Sequence, residues 1–291
     1  MRRYVWWFLL FPLGLMGAAR ANTDELRDLC NGPDFMSVQQ EAPLPWRQSK
    51  AEAAWVGIGH IRVSQAVNTG GVMRWVLVHG PAALDRLQSD TVLQPSAMSL
   101  LPLNPLEPDS AAHRQLAQHA AWPLTQHMGR GLVLALQPAD SALTPMLHRV
   151  PMALVGLDAQ SVVRVFTRIQ AATALDEWYA AAQSLNDLGV RLEGGRTQWR
   201  VWAPTARRVW VCHYRSATSA VQSIWPAEFS VQDGSWVLSR PQNLRGSSYT
   251  YLVEVFVPSV GWVLQRVTDP YSVGLSADSQ RSLVLDLQAV S

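Results

Sequence analysis

Cysteine is nearly absent from this chain: Cys30 and Cys212 are the only two in 291 residues. That scarcity excludes a disulfide-dense mini-domain and a multi-cysteine zinc cluster. Charge is scarce too, at 16% of residues, with 24 basic against 22 acidic. There is no Gly-x-Ser-x-Gly elbow, no phosphate-binding P-loop and no Cys-x-x-Cys pair, so the common nucleophile, nucleotide and redox signatures are missing. Gly57-Ile58-Gly59 lacks the third glycine of a dinucleotide loop and precedes no capped helix. His113 and His119 are six apart, not the four needed to share a helix face, and His127 lies beyond Trp122-Pro123. The histidines therefore read as solvated or loop residues, and neither a metal nor an organic cofactor is expected.

What the chain does have is apolar and aromatic content: 48% hydrophobic residues and thirteen tryptophans, a globular composition. Residues 1–21 read as a secretory signal. Arg2 and Arg3 precede an apolar run from Val5 to Ala19, and Ala19-Arg20-Ala21 forms a small-x-small cleavage site. The run is shorter than the ~20 residues of a membrane span, and no cysteine follows the cut to carry a lipid anchor. Removing Arg2, Arg3 and Arg20 leaves 21 basic against 22 acidic residues, a net of −1. That leaves no basic excess to attract nucleic acid. The expectation is an exported protein, periplasmic or extracellular, with no membrane or nucleic-acid partner after cleavage. Cys30 and Cys212 could pair in such an oxidising compartment, but Cys212 alternates with Trp210 and Tyr214 on one strand face, which favours a buried thiol.

Residues 22–50 are polar and broken by Pro33, Pro43 and Pro45, a leader or linker with one short helix around Asp24–Leu29. From Ala51, short β-branched and aromatic runs predict strands at Trp55–Val63, Val72–Val78, Leu132–Leu136, Met152–Val155 and Val162–Phe166. Four prolines between Gln94 and Asp109 argue against regular helix or a central strand there, and Ser110–Ala121 suits a short helix. A clear helix follows at 171–188: Thr173 and Asp176 have capping-box spacing, and Leu175, Trp178, Ala182 and Leu185 recur at helical spacing before Gly189.

Beyond the helix, Val190–Glu193 and Thr197–Trp202 flank Gly194-Gly195, the signature of a hairpin with a two-residue turn. Arg208–Tyr214 and Tyr249–Val257 alternate. In the latter, Tyr249, Tyr251, Val253, Val255 and Val257 share a face, and Trp262–Val267 returns after a turn at Pro258–Gly261. Strands without alternating long helices predict a mostly β fold: two consecutive β-sandwich, immunoglobulin-like domains, 51–170 and 189–287, joined by one α-helix, with a tail at 288–291.

The second block carries a resemblance. Leu188-Gly189-Val190 and Trp199-Arg200-Val201-Trp202-Ala203-Pro204-Thr205-Ala206 resemble the entry to carbohydrate-binding module family 48, as do Gly234-Ser235-Trp236 and Tyr249-Thr250-Tyr251. Val267 to Ser276, which contains Thr268-Asp269-Pro270-Tyr271, and Arg281 to Leu287 resemble the pullulanase-type α-1,6-glucosidases of glycoside hydrolase family 13. Upstream, Leu175 to Ala182 and Ala54-Trp55-Val56 resemble the helical joint and the N-terminal β domain of those enzymes. The resemblance covers roughly Ala51 to Leu287. It implies a family that hydrolyses α-1,6 branch linkages of pullulan, starch or glycogen without an organic cofactor.

Only Gln288 to Ser291 follow that region, whereas a catalytic (β/α)₈ barrel needs about 250 residues. None of the barrel's carboxylate motifs is present, so no catalytic residue is carried over, and this chain alone is expected not to hydrolyse pullulan. The reading is a non-catalytic, secreted accessory region that packs on a catalytic barrel, missing or separately encoded, with α-glucan as a candidate ligand. The rivals are a stand-alone periplasmic α-glucan-binding protein and one half of a split debranching enzyme.

A starch site would stack flat aromatic rings on sugar faces. Among Trp210, Tyr214, Trp225, Trp236, Tyr249, Tyr251 and Trp262, the two tyrosines on the valine face read as core, and Trp202 before Ala-Pro reads as a packing residue. Trp225, in a loop-like segment before Pro226, and Trp236, after Asp233-Gly234, are the expected exposed pair, with Trp262 as a third candidate. The resemblance further suggests that Asp269, Pro270 and Tyr271 face the barrel; without it, that surface would be an exposed apolar patch.

Overall fold

The computed structural model describes residues 23–33, 35–38, 45–94, 99–119 and 122–286. The expected signal at 1–21, together with Leu287 and 288–291, lies outside the described residues. The chain is mostly β, with two β-sandwich units joined by a short helix. Helix α1 (Thr23–Asn31) and strand β1 (Met36–Val38) come first in the chain but belong to the second unit.

The first unit begins at α2 (Pro45–Gln48) and holds strands β2 (Ala53–Trp55), β3 (His60–Val63), β4 (Arg74–His79), β5 (Ser99–Pro105), β6 (Val133–Leu136), β7 (Met152–Leu157), β8 (Val163–Thr167) and β9 (Ile169–Gln170). Four short helices lie between them: α3 (Pro81–Leu84), α4 (Ala111–Ala117), α5 (Pro138–Ser141) and α6 (Thr144–Leu147). The strands form one sheet in the order β8-β7-β4-β5-β6-β3-β2-β9. The two ends of that order, β8 and β9, are separated only by Arg168, so the sheet rolls on itself into two facing layers. Trp55, Ile61, Trp75, Leu77, Leu103, Leu134 and Leu154 fill the interior. The alternate residues Val76, Val78, Ala153 and Val155 point out and are covered by Trp46, Ala83, Leu84 and Leu87, as the two-residue strand period requires.

Three sequence expectations change in this unit. Trp55–Val63 is a hairpin, not a single strand, with its turn at Gly57–Gly59 held by Ile58 N–H donating to Glu177 Oε2 at 2.8 Å. The proline-rich stretch contains β5, a strand inside the sheet. β5 pairs with β4 over Ser99–Leu103 and with β6 over Leu103–Pro105. Pro102 and Pro105 therefore each have a side without a strand partner, where a residue lacking N–H is accommodated. The connecting helix α7 spans only Ala172–Trp178, with Ala171 and not Thr173 in the N-cap position. A 3₁₀ turn, Ala180–Ser184, follows, and Leu185 is extended. Elsewhere the expected helix after Ser110 forms, capped by the Ser110 hydroxyl accepting from His113 N–H.

The second unit contains β10 (Gly189–Glu193), β11 (Arg196–Trp202), β12 (Arg208–Tyr214), β13 (Val221–Pro226), β14 (Glu228–Phe229), β15 (Ser235–Arg240), β16 (Ser248–Val257), β17 (Gly261–Val267) and β18 (Ser282–Leu283). The β10–β11 hairpin turns at Gly194 and Gly195, both at positive φ (55° and 74°), as a type I′ turn requires. One sheet runs β1-β17-β16-β12-β13 with β18 beside β16, and the other β10-β11-β15-β14. Trp199, Val201, Val209, Val211, Trp236, Tyr249 and Tyr251 pack between them.

The expected leader is part of this unit. Leu26, Leu29 and Cys30 of α1 pack on the outer face of the larger sheet with Cys212, Tyr214, Val221, Leu252 and Leu264. Cys30 and Cys212 form a disulfide across 182 residues of sequence, so the alternation that favoured a buried thiol placed Cys212 correctly and its chemistry wrongly. The Tyr214 hydroxyl donates to Cys30 O at 2.7 Å, Arg266 Nη1 donates to Leu29 O and Cys30 O at 3.0 and 2.9 Å, and Val221 N–H donates to Asn31 Oδ1 at 2.6 Å. The Tyr214 and Arg266 bonds satisfy carbonyls at the helix end, and β1 then adds a strand to the edge of β17.

Candidate glycan and docking surfaces

Each of the three tryptophans expected to meet sugar is covered by an arginine. Trp225 lies on strand β13, not in a loop. It stacks on His213 at 5.1 Å and has the Arg240 guanidinium over its ring at 4.7 Å. Trp236 is 5% exposed; its indole N–H donates to Ala203 O at 3.0 Å, and Arg149, from the first unit, lies 5.1 Å from its ring. Trp262 is 4% exposed, edge-on to Phe256, under Arg207 at 4.6 Å. A sugar needs an open ring face, so the expectation that Trp236 is exposed is corrected, and Trp262 offers no open face either. Trp225 is half-buried.

Arg149 does more than cover one ring. Its Nε donates to Ala206 O at 3.0 Å and its Nη2 to Arg207 O at 2.9 Å, and it also lies over Phe229 at 4.1 Å. Trp46 of the first unit stacks on Phe256 of the second at 5.7 Å. Together these contacts join the two units. Nothing in the sequence around Arg149 signals this role, because its acceptors are backbone carbonyls.

The Asp269-Pro270-Tyr271 turn divides by side chain. Asp269 is buried and accepts from the Tyr249 and Tyr251 hydroxyls at 2.6 and 3.3 Å, while Tyr271 N–H donates to its other oxygen at 2.8 Å. Its own N–H donates to Ser282 Oγ at 2.9 Å. Burial raises the carboxyl pKa against the lowering effect of those donors, and burial beside Asp269 raises both tyrosines. Asp269 therefore holds the turn from inside. Pro270, Tyr271 and, further on, Val273 and Leu275 are exposed, Val273 at 61%.

Among the described residues, the clefts open to solvent include these three. One of about 690 Å³ in the first unit is bordered by Lys50, Glu52, Asn68 and Arg164, and Arg164 is engaged by Asp158 and Asp90 at 2.8 Å each. A second, about 210 Å³, lies at the junction beside Trp46, His148, Arg149 and Phe256. The third, about 220 Å³, lies between the connecting helix and the second unit, beside Asp176, Gln183, Trp202 and Tyr271. Among the described residues no three His, Cys, Asp or Glu side chains are grouped to hold a metal ion, and no helix is long and apolar enough to cross a membrane. His119 lies 3.4 Å from Glu177. His148 and His213 are buried instead of solvated, and burial lowers both pKa values, that of His148 to about 4.

No family model matches the chain. The pullulanase of Klebsiella pneumoniae is 38% identical over 122 residues, 42% of this chain and 11% of the relative. Pullulanase 1, chloroplastic, of Arabidopsis thaliana is 29% identical over 146 residues, 49% of this chain and 14% of the relative. The chain thus spans 9% to 14% of the length of the curated relatives it matches. Among solved structures, apo pullulanase from Klebsiella pneumoniae superposes with a TM-score of 0.66 at 24% identity, over 82% of this chain and 24% of that one. PulA from Klebsiella oxytoca gives 0.65 at 26% identity, over 82% and 21%. The chain is thus similar to pullulanases in sequence over part of its length and in fold over most of it.

Proposed function

We propose that the chain is a non-catalytic accessory region of an exported pullulanase-type debranching enzyme, which orients a catalytic barrel and holds α-glucan. The observation that carries this reading is the shared fold: 82% of the chain, both sandwiches included, follows solved pullulanases while spanning about a fifth to a quarter of them. Export is supported by the Cys30–Cys212 disulfide, a bond suited to an oxidising compartment. The barrel would meet the exposed apolar turn of Pro270, Tyr271, Val273 and Leu275, with Asp269 fixing its shape from inside.

The test has two arms. The purified chain should migrate more slowly in amylose-containing native gels and release no reducing ends from pullulan; turnover by the chain alone would overturn the non-catalytic reading. Added to a pullulanase barrel stripped of its own accessory modules, it should form a complex that Val273→Ser with Leu275→Ser weakens. A complex indifferent to that pair, or none at all, would overturn the docking face.

A further inference from the structure

We propose that the cleft between Trp202 and Tyr271 is a subsite for one pyranose ring of a neutral oligosaccharide, separate from the tryptophans singled out in the sequence. It rests on the α-glucan part of the proposed function, not on docking of a barrel. The cleft measures about 220 Å³, with Trp202 and Tyr271 as its aromatic walls, the buried Tyr179 beside them, Ala182 and Leu188 as apolar lining, and Asp176 and Gln183 as polar groups. A pyranose has an apolar C–H face that packs on aromatic rings and hydroxyls that bond to carboxylates and amides; this lining supplies both. Among the described residues no Lys or Arg borders the cleft, and Asp176 would repel an anionic sugar, so the chemistry favours a neutral one.

Size and rigidity point the same way. Small-molecule pockets run to about 300–1,000 Å³, so this cleft takes a single ring of a longer chain, and the exposed Asp176 and Gln183 leave the neighbouring sugars in solvent. The Trp202 ring and the Tyr271 backbone are anchored before any ligand arrives. The Trp202 indole N–H donates to Asp233 O at 2.9 Å. Tyr271 is held through its N–H on Asp269 and backs onto Gly189, where an added Cβ would lie 3.1 Å from Tyr271 O. Anchored walls lower the ordering cost of binding. Among the described residues no arginine lies over Trp202 or Tyr271, in contrast to the covered rings of Trp225, Trp236 and Trp262. Tyr271 is shared with the proposed docking face, which places the bound ring at the seam.

The experiment is calorimetric titration of the full chain with maltotriose, repeated for Tyr271→Ala, Gln183→Ala and Trp225→Ala, each checked for an unchanged melting temperature. The expected result is a loss of tenfold or more for Tyr271→Ala, several-fold for Gln183→Ala, and less than twofold for Trp225→Ala. If maltotriose binds and the cleft variants bind as tightly as the parent, the subsite is overturned while glucan binding stands. If Trp225→Ala alone abolishes binding, the site lies there. If the parent shows no binding, the subsite and the glucan part of the proposed function fall together, and the docking arm is unaffected.

Discussion

At the centre of the first unit, Trp55, Trp75, Leu77 and Leu154 meet as apolar surfaces; at the centre of the second, Tyr249 and Tyr251 end their hydroxyls on a buried carboxylate. The contrast extends outward. The second unit is cross-linked by directional contacts between distant parts of the chain: Cys30 with Cys212, Arg266 with the end of α1, and Glu254 with Arg208 through two bonds of 2.6 Å. The first unit has such links too, as where Arg62 of β3 donates to Thr125 and Gly129 at the 3₁₀ turn Pro123–Met128, but its facing layers are held mainly by area burial. Area burial accepts any side chain of suitable volume, whereas a buried carboxylate needs its particular donors. The second unit accordingly carries specific polar strings such as Thr268-Asp269-Pro270-Tyr271, and the resemblance to pullulanases was read chiefly from it.

The hardest way to break this comparison is to remove the disulfide. Loss of a native cross-link costs roughly 2–5 kcal/mol, more for long loops, and this one spans 182 residues. Cys30→Ser should lower the melting transition of the second unit in scanning calorimetry and leave that of the first nearly in place; reductant added to the parent should do the same. An equal drop in both transitions would show that α1 supports the whole molecule. Next in size is Asp269→Ala, which strands two buried tyrosine hydroxyls at about 1–3 kcal/mol each. Urea unfolding should show a loss of about 3 kcal/mol, and adding Tyr249→Phe should recover part of it, because removing both partners is milder than removing one. A strictly additive double variant would mean that the hydroxyl–carboxylate bond contributes nothing.

Much of the second unit was legible because its strands alternate cleanly and its turns use glycine: β12 spans the expected Arg208–Tyr214, and Gly194-Gly195 turns the expected hairpin. In the first unit, β5 was hidden because the proline rule presumes pairing along both sides of a strand, and here only Leu103 is paired on both. Helix α1 was legible as a helix but not as a strap. Leu26, Leu29 and Cys30 make a stripe too short to reveal its partner, and its hydrogen bonds run through backbone carbonyls that any sequence possesses. The covering of the tryptophan candidates was hidden for a related reason. The arginines that cover Trp225, Trp236 and Trp262 come from distant parts of the second unit or from the other unit, and no local pattern around a tryptophan announces them.

A smaller effect addresses the seam. Arg149→Met keeps an aliphatic side chain at the seam but removes both bonds to the second unit and the guanidinium over Phe229. Hydrogen bonds from a charged donor contribute about 1.5–3 kcal/mol, and the guanidinium is partly desolvated already, so a net loss of about 2 kcal/mol is expected. It should appear as two calorimetric transitions that separate further and as faster proteolysis near α7. Unchanged cleavage there would mean that Trp46 on Phe256 suffices to hold the units.

The last comparison is pH. Each unit buries one histidine, His148 edge-on to Trp55 at 5.4 Å and His213 stacked on Trp225, and neither ring has a hydrogen-bond partner among the described residues. Burial lowers the folded-state pKa of His148 to about 4, and lowers that of His213, against about 6.5 in an unfolded chain. With the folded value depressed, the unfolded state binds more protons between those limits. The stability contributed by the neutral ring is therefore complete above pH 6.5 and is lost as pH falls toward 4. At 1.36 kcal/mol per unit, His148 should cost the first unit about 1 kcal/mol between pH 7 and pH 5.5. His148→Phe, which keeps a ring against Trp55, should reduce that decline in the first transition, leaving the part due to His60 and His79, whose pKa values burial also lowers, and should leave the second sloping. His213→Phe should flatten the second and leave the first unchanged. If either variant flattened both transitions, the two units would be unfolding as one, and the separation argued from their different interiors would not hold.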